Sequence, residues 1–207
     1  CPCNTPLSNF EVQQNYKTVD DPAVVCAFPL VSDPNTKFIA WTTTPWTLPS
    51  NLALCVNPTM EYVKVQELES GICYILMATR LVQLYPDLGN PKKKKEAEKK
   101  FKELERFKGE TLKGVEYSPP FDYFLERMKG TGAYHVITGD FVTDDAGTGI
   151  VHCAPAFGEE DYKVCSRLRV RAPSPRAAPL PSLAPPPPTR RFWQPAAPAR
   201  GPRRSAC

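Results

Sequence analysis

The sequence predicts a β-rich α+β domain of barrel-like build, with peripheral helices and a disordered C-terminal tail. Three observations carry this reading. Between residues 23 and 77 lie five short runs rich in β-branched and aromatic residues, with turn formers between them. Helical signals are short and lie around those runs. The last 42 residues, Ser166 to Cys207, hold 11 of the 24 prolines and show little periodicity.

The runs are Ala23–Leu30, Lys37–Trp41, Leu52–Asn57, Glu61–Gln66 and Ile72–Met77, with turns at Asn57-Pro58 and Glu69–Gly71. Ala78–Tyr85 reads as a short helix. Residues 91–108 read as a charged helical insert, with Ala97, Phe101 and Leu104 on one face and Glu/Lys neighbours three and four apart. Nine positive and four negative charges between Lys92 and Lys108 leave +5. That surface either meets RNA phosphates or is simply a solvated face. Gly109–Tyr117 returns to an alternating pattern, and Ala133–Thr138 and Gly149–Cys153 continue as strands. Gly158–Val164 opens a helix with Glu159, Glu160 and Asp161 in its first turn, where the helix dipole favours acids.

The formal charge of +4 is misleading, because the tail holds nine arginines and no acid. Setting aside its +9 leaves −5 for residues 1–165, which excludes a wholly basic nucleic-acid binder. Eight cysteines in 207 residues are too sparse for a disulfide-stapled scaffold. Cys26, Cys55, Cys73, Cys153 and Cys165 sit singly among apolar residues and read as buried reduced thiols, which suits a reducing compartment. Cys1 and Cys3 form a C-x-C pair without a second pair at zinc-ligand spacing, so no metal is expected. No apolar run approaches the roughly 18 residues of a membrane span.

Two segments carry chemistry. The first is WTTTPWTLPSN, Trp41 to Asn51. Thr44 before Pro45 reads as a helix start, with a hydroxyl at the N-cap and proline at the first helical position. Thr42, Thr43 and Thr44 at a strand end present hydroxyls and backbone N–H groups together, able to bind a ribose or a carbonyl without bringing charge. The second is GTGIVHCAPAFGEEDY, Gly147 to Tyr162. Its two glycines allow tight turns. A Pro/Gly loop between His152 and Asp161 can fold back and put both in one pocket. The chain has only two histidines, His135 and His152.

Together the two segments resemble the inserted editing domain of the isoleucyl members of the class I aminoacyl-tRNA synthetases. CNTPLSNFE, Cys3 to Glu11, is similar to the entry of that insert in eukaryotic cytoplasmic members. Valyl and leucyl relatives share the architecture, but carry a threonine-arginine-proline-glutamate type of first motif where this chain has Thr43-Thr44-Pro45-Trp46. The resemblance implies hydrolysis of tRNA(Ile) mischarged with valine, by a water placed by protein and terminal ribose. It implies a catalytic set of Thr42, Thr43, Thr44 and Asp161. Asp161 would pair with the substrate's α-ammonium group, and the threonines would hold the terminal adenosine and help place the water. Trp41 and His152 would bind substrate by shaping the side-chain pocket, His152 helping to exclude isoleucine. Editing itself would take no cofactor. ATP and Mg would serve the parent ligase, whose HIGH-type and KMSKS-type signatures are absent from this chain. The implied partner is the 3′ end of tRNA(Ile), with other synthetases in a complex, in the cytoplasm and away from membranes.

On this reading residues 1–165 are an editing domain, incomplete at its C-terminal end. Residues 166–207 are a Pro/Arg/Ala-rich tail that is disordered or foreign to the native fold. The competing reading is a truncated, catalytically inactive module that binds tRNA or a partner.

Overall fold

The strands are β1 (Val24–Pro29), β2 (Thr36–Thr42), β3 (Ala53–Val56), β4 (Glu61–Glu67), β5 (Cys73–Met77), β6 (Phe101–Lys108), β7 (His135–Thr138) and β8 (Ile150–Cys153). Short helices accompany them, among them α1 (Leu81–Leu84), α2 (Lys94–Ala97) and α3 (Glu159–Arg167). This computed structural model describes residues 22–167 and, ahead of them, Ser8, Phe10, Glu11 and Gln14. The C-x-C pair at Cys1 and Cys3 and the tail past Arg167 lie outside the described residues.

A five-stranded sheet runs β1-β2-β5-β4-β6 and a three-stranded sheet runs β7-β3-β8. The β2–β5 and β3–β7 pairs are parallel and the rest antiparallel. The barrel-like arrangement is thus two open sheets over a shared core that includes Phe28, Phe38, Leu54, Val56, Tyr62, Tyr117 and Ile150. Strand β3, sequence ALCV, is buried at every position. Such a continuous apolar run suits a strand covered on both faces. Strands β4 and β5 instead alternate, as a period of two requires. Tyr62, Ile75 and Met77 enter the main core, whereas Val63, Val65 and Leu76 face a second cluster completed by Tyr85 after α1. Fully burying side chains such as Leu54 and Leu76 contributes about 1.5–3 kcal/mol each.

The charged insert departs from the helical expectation. Only α2 is α-helical, and residues 101–108 pair with β4 as strand β6. The reason lies in the two phenylalanines. Lys64 pairs with Glu105 and Val65 with Glu103, so Leu104 sits in a bulge. That extra residue reverses the side-chain parity. Phe107 therefore reaches the main core, while Phe101 reaches the second cluster on the opposite face and stacks on Tyr85 at 4.4 Å. Leu104 is left 44% exposed, and Ala97, Phe101 and Leu104 do not form one face. The exposed charges of β6 lie on the sheet's outer edge, where they oppose edge-to-edge pairing. Several are paired locally, as in Arg106–Glu103 and Lys108–Glu61.

Gly109–Tyr117 is likewise not a regular strand. Gly109–Leu112 forms a 3-10 turn, and Glu116 and Tyr117 make single bridges to His135 and Leu30. Among the described residues no helix is long and apolar enough to cross a membrane.

Gly149 is needed where β8 begins. Its φ is +74°, and an added Cβ would run into the Met77 side chain. Gly149→Ala is expected to lower unfolding free energy by about 2–4 kcal/mol, from left-handed strain plus overpacking. Urea unfolding of the wild type and the variant checks this; equal midpoints would contradict it.

Candidate active site

Strand β2 ends at Thr42, and the chain turns through a 3-10 segment, Pro45–Ser50. This turn faces β8, the Thr143–Gly149 loop and the start of α3. Between them lies an open cleft of about 540 Å³. Trp41, Thr42, Thr43, Thr44, His152 and Asp161 all line it, so six residues from two distant motifs meet in one place. Among the described residues, Asp161 is the only Asp, Glu, Lys or Arg in the lining. The rest is hydroxyl, aromatic and backbone surface.

The three threonines are graded from buried to exposed. Thr42 is buried, and its Oγ1 accepts from the Thr44 N–H at 3.0 Å and lies 3.3 Å from the Thr44 hydroxyl. Thr43 is half-buried and Thr44 is exposed. The hydroxyl of Thr44 does not cap the following turn, contrary to the sequence expectation. Its carbonyl does the work, accepting from Thr47 N at 3.0 Å and Thr47 Oγ1 at 2.8 Å. Pro49, inside the segment, removes a backbone donor, which limits it to a short 3-10 turn.

His152 stands on β8 opposite Leu54 of β3. Its Nε2 lies 2.8 Å from Thr47 Oγ1, and its Nδ1 lies 3.4 Å from Asn51 Nδ2. Both ring nitrogens are therefore engaged within the protein. What the ring offers the cleft is its carbon edge, a steric wall rather than a donor. Burial pushes the imidazole below the usual histidine value, and the charge of Asp161 draws it partly back.

Asp161 sits in the first turn of α3, where the helix dipole favours a carboxylate. Its Oδ2 accepts from the Ala154 N–H at 2.9 Å, so the loop after β8 is folded back onto the helix. Gly158 lies close under this contact, and a Cβ there would stand 3.0 Å from the carboxylate. One carboxylate oxygen is spent on this contact.

The glycine-containing loop is strapped from below. Arg80 Nε donates to Gly147 O at 2.9 Å, and its Nη1 to Asp144 O at 3.2 Å. Met77 N donates to Thr148 O at 3.0 Å, and Tyr62 OH to Gly149 O at 2.7 Å. The cleft wall is thereby fixed to strands β4 and β5.

No family model matches the chain. Curated relatives do. The chain is 58% identical over 162 residues to an isoleucine–tRNA ligase of Tetrahymena thermophila, covering 78% of this chain and 14% of that protein. It is 52% identical over 168 residues to the cytoplasmic isoleucine–tRNA ligase of Mus musculus, covering 81% and 12%. The cytoplasmic ligase of Saccharomyces cerevisiae is 51% identical over 161 residues, covering 78% and 14%. The chain belongs to the isoleucine–tRNA ligase family. Its type is that of the eukaryotic cytoplasmic ligases, and it spans about one-seventh of the length of these relatives. Among solved structures, the P. knowlesi cytosolic leucyl-tRNA synthetase editing domain superposes with a TM-score of 0.52 at 14% identity, over 75% of this chain and 65% of that one. The leucyl-tRNA synthetase fragment GlLeuRS-CP1 superposes at 0.51 and 15% identity, over 72% and 65%. The fold is that of a synthetase editing domain.

In this ligase fragment several cleft residues escaped the sequence reading. Trp46 and Phe157 stand at the rim, 67% and 62% exposed, and both line the cleft. Both lay inside the quoted motifs but had no pattern of their own. Asn51 closes the first motif and was given no role; its position directly after the turn was the available signal. Arg80 and Tyr117 lie far from either motif and had none. The free cysteines are buried or half-buried, as expected. Cys153 follows His152, but hydrogen bonding to Cys165 and Cys55 together with burial holds its thiol well above the ordinary range. Burial likewise pushes Cys26 up to about 11. Neither is an activated nucleophile. Among the described residues no three His, Cys, Asp or Glu side chains form a metal-holding group.

Because His152 is lowered, its neutral burial stabilises the fold above about pH 6.5, the unfolded value. That contribution is lost as pH falls towards and through the folded value. Urea midpoints are expected to drop between about pH 7 and pH 5, with a shallower drop in His152→Gln. Parallel pH profiles for the two proteins would contradict this.

Proposed function

We propose that residues 1–165 form the editing unit of a cytoplasmic isoleucine–tRNA ligase and that the cleft hydrolyses tRNA(Ile) mischarged with valine. The observation that carries this is the meeting of Thr42–Thr44, His152 and Asp161 in a cleft where, among the described residues, the one formal charge is a carboxylate.

The need for such a site is physical. One methylene separates isoleucine from valine and is worth only about 1–3 kcal/mol in a binding pocket, and this pair of amino acids is the established example of that limit. A second sieve that admits only the smaller side chain restores accuracy. Aminoacyl ester carries a cationic α-ammonium group beside the scissile carbonyl. Asp161 is the only charge in the lining available to it, and a carboxylate on an ammonium is a strong, directional contact. Thr43 and Thr44 offer hydroxyls to the terminal ribose and adenosine, while the buried Thr42 holds Thr44 in place. Trp41 and the carbon edge of His152 bound the side-chain space. With no activated thiol in the cleft, the attacking group is a water held between the threonines and the substrate's own ribose hydroxyl.

The parent ligase uses ATP and Mg in its activation step. The cleft does not fit them, since its lining has a single carboxylate and no lysine or arginine to hold a triphosphate. That chemistry belongs to other parts of the ligase. The tail, residues 166–207, is given no part in editing on this reading, although its first two residues end α3, and other synthetases in a complex are partners of the parent enzyme.

Asp161→Asn keeps an oxygen for the Ala154 N–H and removes the charge. It is expected to lower release of valine from Val-tRNA(Ile) by about 100-fold or more, through lost positioning. His152→Ala is expected to release isoleucine from Ile-tRNA(Ile) as well. Both are read by deacylation of radiolabelled aminoacyl-tRNA. Full activity in the first variant, or an unchanged valine-to-isoleucine ratio in the second, would defeat the respective role. Binding of tRNA by the folded wild-type chain without any deacylation would favour an inactive tRNA-binding module.

A further inference from the structure

Thr47, His152 and Asn51 stand where a nucleophile, a base and an orienting amide would stand in a hydrolytic triad. Thr47 lines the cleft, with its Oγ1 2.8 Å from His152 Nε2. The hydrogens, however, run the opposite way. Asn51 Nδ2 donates to Ala53 O at 3.0 Å and faces His152 Nδ1 at 3.4 Å. Its Oδ1 accepts from Tyr117 OH at 2.6 Å. Turned over, the amide would set its oxygen against the Ala53 carbonyl and lose the Tyr117 donor. In the orientation present, Nδ1 of His152 faces a donor and must accept. Nε2 therefore carries the proton and gives it to Thr47, whose own proton goes to the Thr44 carbonyl at 2.8 Å.

We propose that Tyr117 is a positioning residue of the cleft, the second of two holds on Asn51 beside the Ala53 carbonyl, and that both are needed to keep His152 wholly in the Nε2–H tautomer, unable to serve Thr47 as a base. The inference rests on the hydrolytic reading above and deepens it. An amide free to turn would accept from Nδ1–H, which would point the Nε2 lone pair at the Thr47 hydroxyl and complete the triad. With Tyr117 in place, Thr47 stays a structural donor, the Thr44 carbonyl stays fixed, and hydrolysis goes through water without an acyl-enzyme.

Tyr117 is itself held from several sides. It is buried, its N–H donates to Tyr134 O at 3.0 Å, and it bridges Leu30. Its ring meets Phe28 edge-on at 5.6 Å and Tyr134 at 6.3 Å. Tyr134 has φ +63°, the only non-glycine residue with positive φ among the described residues. Such a conformation persists only where its surroundings over-determine it.

The test is nitrogen-15 NMR of histidine-labelled full chain, residues 1–207, in wild type and Tyr117→Phe, which keeps the ring contacts. With two histidines in the chain, His152→Gln identifies the signals. The wild type is expected to show neutral His152 protonated at Nε2. Tyr117→Phe is expected to show both tautomers and a deacylation rate on Val-tRNA(Ile) lower by about tenfold, from the unsatisfied Asn51 oxygen. A wild-type proton on Nδ1 would overturn the proposal even if the variant fails to fold. So would a folded Tyr117→Phe that keeps the wild-type tautomer. The spectra need no tRNA. The expected tautomers in a chain without deacylation would therefore support the wiring and count against the hydrolytic reading alone.

Discussion

The 2.8 Å hydrogen bond between Thr47 Oγ1 and His152 Nε2 joins segments 105 residues apart and fixes one wall of the cleft against the other. Together with the Asn51–His152 contact at the turn's end, it ties the 3-10 turn after β2 to β8. Thr47 passes the constraint to the Thr44 carbonyl, and so to the exposed end of the threonine run. On the other side His152 is fixed by its pairing with Leu54 in the smaller sheet. The cleft is thus a joint between two sheets, and this buried polar contact holds its two motifs together. Buried polar groups stabilise only when all their partners are present, and this chain of contacts from Tyr117 to Thr44 leaves none of its members without one.

The same economy governs charge. A cleft meant for a large polyanion would be expected to display lysine or arginine, but this one displays a single carboxylate among hydroxyls and aromatic rings. Such a lining suits the end of a tRNA rather than its backbone, and a cationic aminoacyl group rather than a phosphate. The carboxylate is held by the Ala154 N–H and sits in the first turn of α3, so its position is set by the fold.

Much of this was legible in the sequence because the chemistry-bearing residues are contiguous. WTTTPW and GTGIVHCAPAFGEED each lie on one strand and the turn that follows it, so local order already puts the residues side by side. The strand positions of residues 23–77 were legible for the same reason, through a period of two and turn residues. The strand at 101–108 was not. Its Glu and Lys spacing satisfies a helix, and the bulge at Leu104 hides the alternation by shifting parity midway. The hydroxyl of Thr44 was expected to cap a helix, but Pro49 keeps the segment to a short 3-10 turn and the carbonyl takes that role. Tyr117 was illegible in a deeper sense. Its part depends on a contact with Asn51 across 66 residues, and no local pattern encodes that.

The most direct test of the account is a crystal structure of residues 1–207 with a non-hydrolysable, amide-linked valyl-adenosine. The account predicts the ligand in the cleft, its amine within hydrogen-bond reach of Asp161 and its ribose against Thr43 and Thr44. The valine side chain should rest on Trp41 and His152. A ligand bound elsewhere on the chain, or in the cleft with its amine turned away from Asp161, would contradict it.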